Sequence, residues 1–375
     1  MKIKSFFKKW HEYSPIFTMV TVLLFPIVLL FHILSIYCEP IANFVNRYPA
    51  ALVRGALAWL TNLFPFSVAE IILLLIVPIL ITLIVIGIRL CKKEDPKPSR
   101  YYLSTIVGLL FALYFGFVLT LGTSYFTTTI DKELELQKEK VAKDALYKTT
   151  ETVVNEMNAL IDEIEFDENG MSVMPYSRRE LNKKLNEAYK TVTKCYPFIS
   201  SLRTNVKGIL FSEALTYTHL SGVYTYFTGE ANVNTNFPSS VVAYTTAHEM
   251  AHQRGIGRED EANFVAFLVC MASDDAYIRY SGYYEMFKYL INALYEADTK
   301  LFNQAYAIAD DRLVGEIVAF NDFYDKYLDN PASDITSDLN DAYQQMQGIE
   351  AGVKSYGLVV DLAVAYHQKY ERFAE

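Results

Sequence analysis

The sequence predicts a mainly α protein: three transmembrane helices within residues 1–126, then a predominantly helical domain over residues 127–375 with a small β element. Three observations carry that prediction. The 375 residues are 52% hydrophobic and only 21% charged, with a mean hydropathy of +0.13, too apolar for an ordinary soluble enzyme and far too apolar for a disordered chain. The apolar residues are bunched into three long runs in the first third. The charge is bunched as well: residues 1–126 hold 11 Lys/Arg against 5 Asp/Glu, and residues 127–375 hold 23 against 38, so a basic segment (+6) precedes an acidic one (−15). Four cysteines exclude a disulfide-dense secreted scaffold.

The apolar runs are Ile16–Cys38, Val68–Ile88 (continuing as helix to about 91) and Leu103–Phe126. Each reaches the roughly 20 residues that cross a bilayer core of ~30 Å. His32 is the one acidic or basic side chain in the first, Glu70 sits at the edge of the second, and the third has none. Pro26 and Pro78 fall inside two of them and are expected to kink those helices, as membrane helices tolerate. The first run is longer than a signal-peptide core and no small-x-small site follows it, so it is read as an uncleaved helix. Lys2, Lys4, Lys8 and Lys9 precede the first span, and Arg89, Lys92, Lys93, Lys97 and Arg100 separate the second from the third. Only Arg47 and Arg54 lie between the first two. The positive-inside rule places the N-terminus in the cytoplasm and residues 127–375 outside. Residues 41–66, apolar but broken by Pro49 and Pro65, read as an interfacial helix with Trp59 at the headgroups.

Beyond Phe126 the texture turns polar. Asp131–Phe166 has apolar residues at helical spacing and predicts one helix. Asp167–Pro175 is a loop. Ser177 with Glu180 forms a capping box that opens the next helix, which ends before Pro197. Gly222–Gly229 (GVYTYFTG) is β-branched and aromatic and predicts a strand. Helices follow at about 239–254, 259–273, 279–310, 312–328, 334–346 and 354–372. Cys195 and Cys270 either pair or stand as two buried free thiols, the second being expected. The acidic outer domain argues against a nucleic-acid partner; the lipid bilayer and a peptide or protein substrate are the expected ones.

The chemistry concentrates in His248-Glu249-Met250-Ala251-His252. Residues i and i+4 share a helix face, so His248 and His252 can offer two imidazole nitrogens to one metal ion. Glu249, about 100° round the helix, can act as base toward a water activated by that metal. Zn2+ needs a third protein ligand and an open fourth position. Gly255 and Gly257 can stop the helix and turn the chain, and a second helix then brings Glu259, Asp260 and Glu261 back. Glu261 heads the apolar face of Ala262, Val265, Ala266 and Val269 and is the expected third ligand, with Glu259 as runner-up. Tyr283, Tyr284 and Tyr356 are candidate oxyanion donors, Asp274 or Asp275 a candidate partner orienting a histidine, and the strand Gly222–Gly229 a candidate edge for an extended substrate.

HEMAHQRG with EDEANFVAF close behind resembles the zinc metallopeptidases whose third ligand is a glutamate. That resemblance implies a zincin-like domain, His248, His252 and Glu261 as zinc ligands and Glu249 as catalytic base. The spacing from His252 to Glu261 is tighter than in many such enzymes. The third histidine of the metzincin pattern would fall at Arg258, which disfavours that subclass. The wider pattern also resembles an uncharacterised bacterial multi-pass membrane family: three spans, FTGEANVN (Phe227–Asn234), HEMAHQRG, EDEANF, YSGYYE (Tyr280–Glu285) and KSYGLVVDL (Lys354–Leu362). The expected function is zinc-dependent peptide hydrolysis at the outer membrane face. The alternatives are a non-enzymatic, zinc-stabilised sensor or envelope-assembly protein, and a zinc hydrolase acting on a non-peptide envelope substrate.

Overall fold

The first third holds α1 (Ile16–Tyr37), the short α2 (Glu39–Val45), a π-helical turn (Asn46–Ala50), α3 (Ala51–Thr61), α4 (Val68–Cys91) and α5 (Lys97–Thr120). The computed structural model describes residues 7, 9–137, 141–328, 330–346 and 356–373. Helices α1, α4 and α5 are long and apolar enough to cross a membrane. The apolar centre of α4 buries nothing within the protein, a surface that suits lipid rather than water. α1 and α5 pair closely. Gly108 of α5 lies so near Thr18 that a Cβ there would fall 2.4 Å from its Oγ1, and Phe25 stacks on Phe111 at 4.4 Å. Helix runs unbroken through Pro26 and Pro78.

The third span is shifted from its expected bounds. It starts at Lys97, where Pro98 suits a helix N-terminus, and stops at Thr120. The remaining apolar residues form a 3-10 turn (Gly122–Phe126) whose first four residues are buried. Glu70 lies in the first turn of α4, where the helix dipole favours an anion, and accepts from Leu210 N and Phe211 N at 2.9 Å each. Trp59 is exposed on α3.

The C-terminal two-thirds of the chain begins with α6 (Ile130–Glu133). The single helix expected over Asp131–Phe166 is instead broken: Glu135 takes a left-handed φ of 50°, and helix resumes as α7 (Lys143–Leu160). α8 (Arg178–Cys195) is capped as its sequence predicts, Ser177 accepting from Glu180 N. Next come β1 (Lys207–Gly208), α9 (Ser212–Thr216), β2 (Gly222–Thr225) and β3 (Glu230–Val233). The strand expected to reach Gly229 ends at Thr225, because the chain turns back there. Gly229 has φ +67°, and β2 and β3 form an antiparallel hairpin with Gly222 opposite Val233. β1 joins β3 in parallel, giving the order β1-β3-β2 with β2 at an edge.

Seven helices complete the described chain: α10 (Ser239–Gln253), α11 (Glu259–Met271), α12 (Ala276–Ala297), α13 (Thr299–Ala307), α14 (Asp311–Tyr324), α15 (Pro331–Met346) and α16 (Tyr356–Tyr370). The helix expected over 279–310 is split because Asp298 is extended and its side chain caps α13 through Lys300 N and Leu301 N. α10 is buried almost all round, between α11, α12 and the hairpin, which its small and apolar Val241, Ala243, Ala247 and Ala251 permit. Cys195 and Cys270 are both free; Cys270 is buried, and Cys195 is exposed rather than buried as expected.

Candidate metal centre

α10 carries His248, Glu249 and His252 on its last two turns. The helix then stops sharply. Gly255 has φ +92°, and a Cβ there would meet Arg54 Nη2 at 2.4 Å and Asn46 Oδ1 at 2.6 Å, so only glycine fits. Gly257 is pressed against Ser124 in the same way. The link is so short that α11 starts beside the end of α10, and its first residue, Glu259, faces the two histidines.

His248 Nε2 and His252 Nε2 lie 3.0 Å apart, and Glu259 Oε2 lies 3.2 Å from the first and 3.5 Å from the second. Among the described residues this is the one group of three or more His, Cys, Asp or Glu ligand atoms close enough to hold a metal ion. Glu261, expected as third ligand, is elsewhere. Its carboxylate accepts from Ile130 N at 3.1 Å and lies 3.5 Å from Arg258 Nη1, tying α11 to α6. The acidic residue that the fold brings to the imidazoles is Glu259.

Electrostatics follow from burial. Burial pushes Glu249 up to about 7, the neighbouring imidazoles opposing the shift and Glu259 adding to it. Burial alone would lower His252, but Glu259 and then Glu249 raise it to about 9. Burial would raise Glu259, but His252 and His248 hold it well below the ordinary carboxylate range. Burial raises Glu261 to about 7, against the pull of Arg258.

The histidine ring is oriented by backbone rather than by an aspartate. His252 Nδ1 lies 2.8 Å from Ile256 O, so an Nδ1–H there leaves the Nε2 lone pair facing the cluster. Asp274 is exposed, and Asp275 caps α12 while accepting from Tyr176 and pairing with Lys184. Tyr283 and Tyr284 are buried away from the cleft, and the side chain of Tyr356 lies outside the described residues, as do Lys354 and Ser355 of the C-terminal motif.

The cluster opens into a cleft of about 720 Å³. One side is the β2 edge. Gly222 lies so close to α10 that a Cβ would fall 2.5 Å from Glu249 Oε1. Asn234 N donates to Ser221 O, so by antiparallel alternation Gly222 and Tyr224 turn their backbone N–H and C=O to the unpaired edge. Asn263, one turn beyond Glu259, lines the same cleft and has a buried Nδ2 without a hydrogen-bond partner.

Four residues here escaped the sequence reading. Asn263 had a signal, its i+4 spacing from Glu259. Arg54 is buried and donates to Asn46 Oδ1 and Asn46 O at 2.8 Å, to Thr120 O at 3.2 Å and to Arg254 O at 3.5 Å. Asn46 Nδ2 donates to Gly255 O at 2.9 Å. Arg254, also buried, stacks on Tyr189 at 3.8 Å and donates to Met250 O. Two guanidinium groups thus stand at the C-terminal, negative end of α10. Burial lowers each to about 10, which leaves both charged at neutral pH.

The chain matches, over residues 47–364, the family model described as a protein of unknown function (DUF3810). It belongs to that family. No curated protein and no solved structure matches it.

Proposed function

We propose that this DUF3810 member is a membrane-anchored, zinc-dependent peptidase whose cleft lies on the outer face of the bilayer. One observation carries the reading: His248, His252 and Glu259 converge while Glu249 stands beside them. Two imidazole Nε2 atoms and a carboxylate oxygen face one point, a donor set that one divalent ion can bind at once. A proton serves one pair; a divalent ion serves all three. Zinc bonds of 2.0–2.1 Å at tetrahedral angles put ligand atoms about 3.3 Å apart, close to the separations of 3.0, 3.2 and 3.5 Å seen here. Three protein ligands beside an open cleft fit a catalytic site better than a structural one, which takes four.

Bound there, zinc supplies Lewis acidity toward a carbonyl and toward water. Glu249 takes the proton of the attacking water and passes it to the leaving amine. The unpaired β2 edge beside Glu249 holds an extended peptide by main-chain hydrogen bonds, which favours a peptide over other envelope substrates. Orientation rests on the lysines and arginines of the N-terminus and of the segment between α4 and α5, which put those segments inside.

The test is zinc content of protein purified without chelator, with hydrolysis of a peptide library. Glu249→Gln is expected to keep the zinc and to lower hydrolysis by about 10²-fold or more. Protein that carries no zinc overturns the proposal. If His248→Ala unfolds the domain while Glu249→Gln leaves every function intact, the zinc is structural and the protein a sensor or assembly factor.

A further inference from the structure

We propose that the substrates of this site are polypeptides anchored in the same membrane by a helix on the N-terminal side of the cut, and cleaved a few residues beyond the bilayer. The inference rests on the hydrolytic reading above and adds a substrate class to it.

The argument is the placement of the β2 edge. One end of the strand lies at the catalytic carboxylate, where Gly222 touches Glu249. Its other end is fixed to the third long apolar helix. Tyr226 packs edge-on against Phe117 with ring centres 5.6 Å apart, and its carbonyl accepts from Thr120 Oγ1 at 3.3 Å. Phe117 and Thr120 belong to the last turn of α5. The hairpin tip is seated on the neighbouring α3, where Gly229 meets Leu57. Leu121, the first residue after α5, and Tyr125 of the 3-10 turn that follows also line the cleft. The open edge is therefore a track between the end of a membrane helix and Glu249. The strand itself, Thr225 back to Gly222, covers four residues, or about 13 Å at ~3.3 Å per residue.

A chain leaving the bilayer beside α5 meets the membrane end of this track first. β2 runs from Gly222 at Glu249 toward Tyr226 at the membrane, so a partner strand that leaves the membrane end first and proceeds to Glu249 is antiparallel to it. Antiparallel pairing is also slightly the more stable arrangement. Its N-terminal side then lies in the membrane and its scissile bond about four to eight residues beyond. A soluble peptide gains nothing from the placement, and a chain anchored at its C-terminal side would have to pair in parallel.

The test uses the full-length protein with zinc in phosphatidylcholine bilayers and a random segment of about 15 residues in three forms. In one it follows a Leu/Ala helix of about 20 residues, in the second it precedes that helix, and in the third it is free. Both anchored forms present the segment on the cleft side at equal density, so local concentration does not separate them. The helix-first form is expected to be cut at least about tenfold faster than the helix-last form. A Gly/Ser spacer inserted after the helix should move the cut in sequence while its distance from the helix stays fixed. Equal rates for the two anchored forms, or a cut that follows the sequence when the spacer is added, overturn the inference and leave the hydrolytic reading standing. No cut in any form, with wild type indistinguishable from Glu249→Gln, overturns both.

Discussion

Next to the end of α5 the cleft is walled by Leu121 and Tyr125 and braced by Asn46, Arg54 and Ser124, all of them buried. On its far side it is walled by Phe320 and Tyr324 of α14 and by Thr336 and Leu339 of α15, and Leu339 stands 67% exposed. The first wall is fixed by hydrogen bonds across great sequence separations, Asn46 to Gly255 and Arg54 to Arg254 among them. The second is tied not at the glycine turn but through Glu316 of α14, which accepts from Ser172 Oγ at 2.6 Å and from Ser240 Oγ at 2.9 Å, with Phe320 stacked on Tyr324 in the same helix. The difference separates two jobs. The loop that aims Glu259 at the histidines is held by the N-terminal third of the chain, so that third is part of the site and not a mere tether. The far wall carries none of the three clustered ligand atoms, so its substitution is expected to leave the cluster in place.

The largest effect should come from Arg54→Met. It removes a cation from the end of α10 and leaves several buried carbonyls without donors, at about 1–3 kcal/mol for each. Thermal unfolding in nanodiscs should fall by several degrees or more and zinc content with it; unchanged zinc and stability would erase the distinction between the walls. Second, Glu259→Gln should weaken zinc binding by about 100-fold or more in a chelator competition, whereas Glu261→Gln should leave it within about threefold and cost about 1–2 kcal/mol of stability through Ile130. The reverse order would mean that Glu261, not Glu259, serves the metal. Third, Gly222→Val forces a side chain against Glu249 and Thr245, so hydrolysis should drop about 10²-fold with zinc retained. Fourth, Leu339→Ala on the far wall should stay within about 0.5 kcal/mol in stability while shifting KM among library peptides.

A control lies away from both walls. Burial alone would raise Asp275, but hydrogen bonds from Tyr176 and Ile278 N, with Lys184, hold it below the ordinary carboxylate range. Its folded pKa is depressed, so its contribution is complete above about pH 4 and is lost as the pH falls through the folded value. Asp275→Asn should therefore lower stability at neutral pH and approach wild type in acid, with the zinc site untouched.

Much of this was legible in the sequence. The three apolar helices, the Ser177 cap, the HExxH helix and its glycine stop follow from local pattern. What was not legible was direction. The argument for Glu261 was that it heads an apolar face, and it is indeed buried. But its carboxylate turns to Ile130 N and not to the imidazoles. The five residues 254–258 are too few to carry the chain past the end of α10, so the carboxylate nearest the turn is the one that meets the imidazoles. Arg54 and Asn46 were illegible for a different reason: the Gly255 and Arg254 carbonyls they reach lie 209 and 200 positions away, and no local period records such contacts.

The joint between Glu230 and α4 has a consequence for how the molecule is assembled. Val68 N and Ala69 N, at the start of that helix, donate to the Glu230 carboxylate at 3.0 and 2.7 Å, and Lys207 completes the buried cluster by pairing with Glu230 and donating to Thr61 O at 2.7 Å. Helix donors at an amino terminus need partners, and these two find theirs 162 and 161 residues later in the chain. During synthesis the helix is made long before its acceptor exists. Its amino end is left to water or lipid headgroups until the hairpin has been translated and folded against it, so the last step in building the second apolar helix belongs to the sheet.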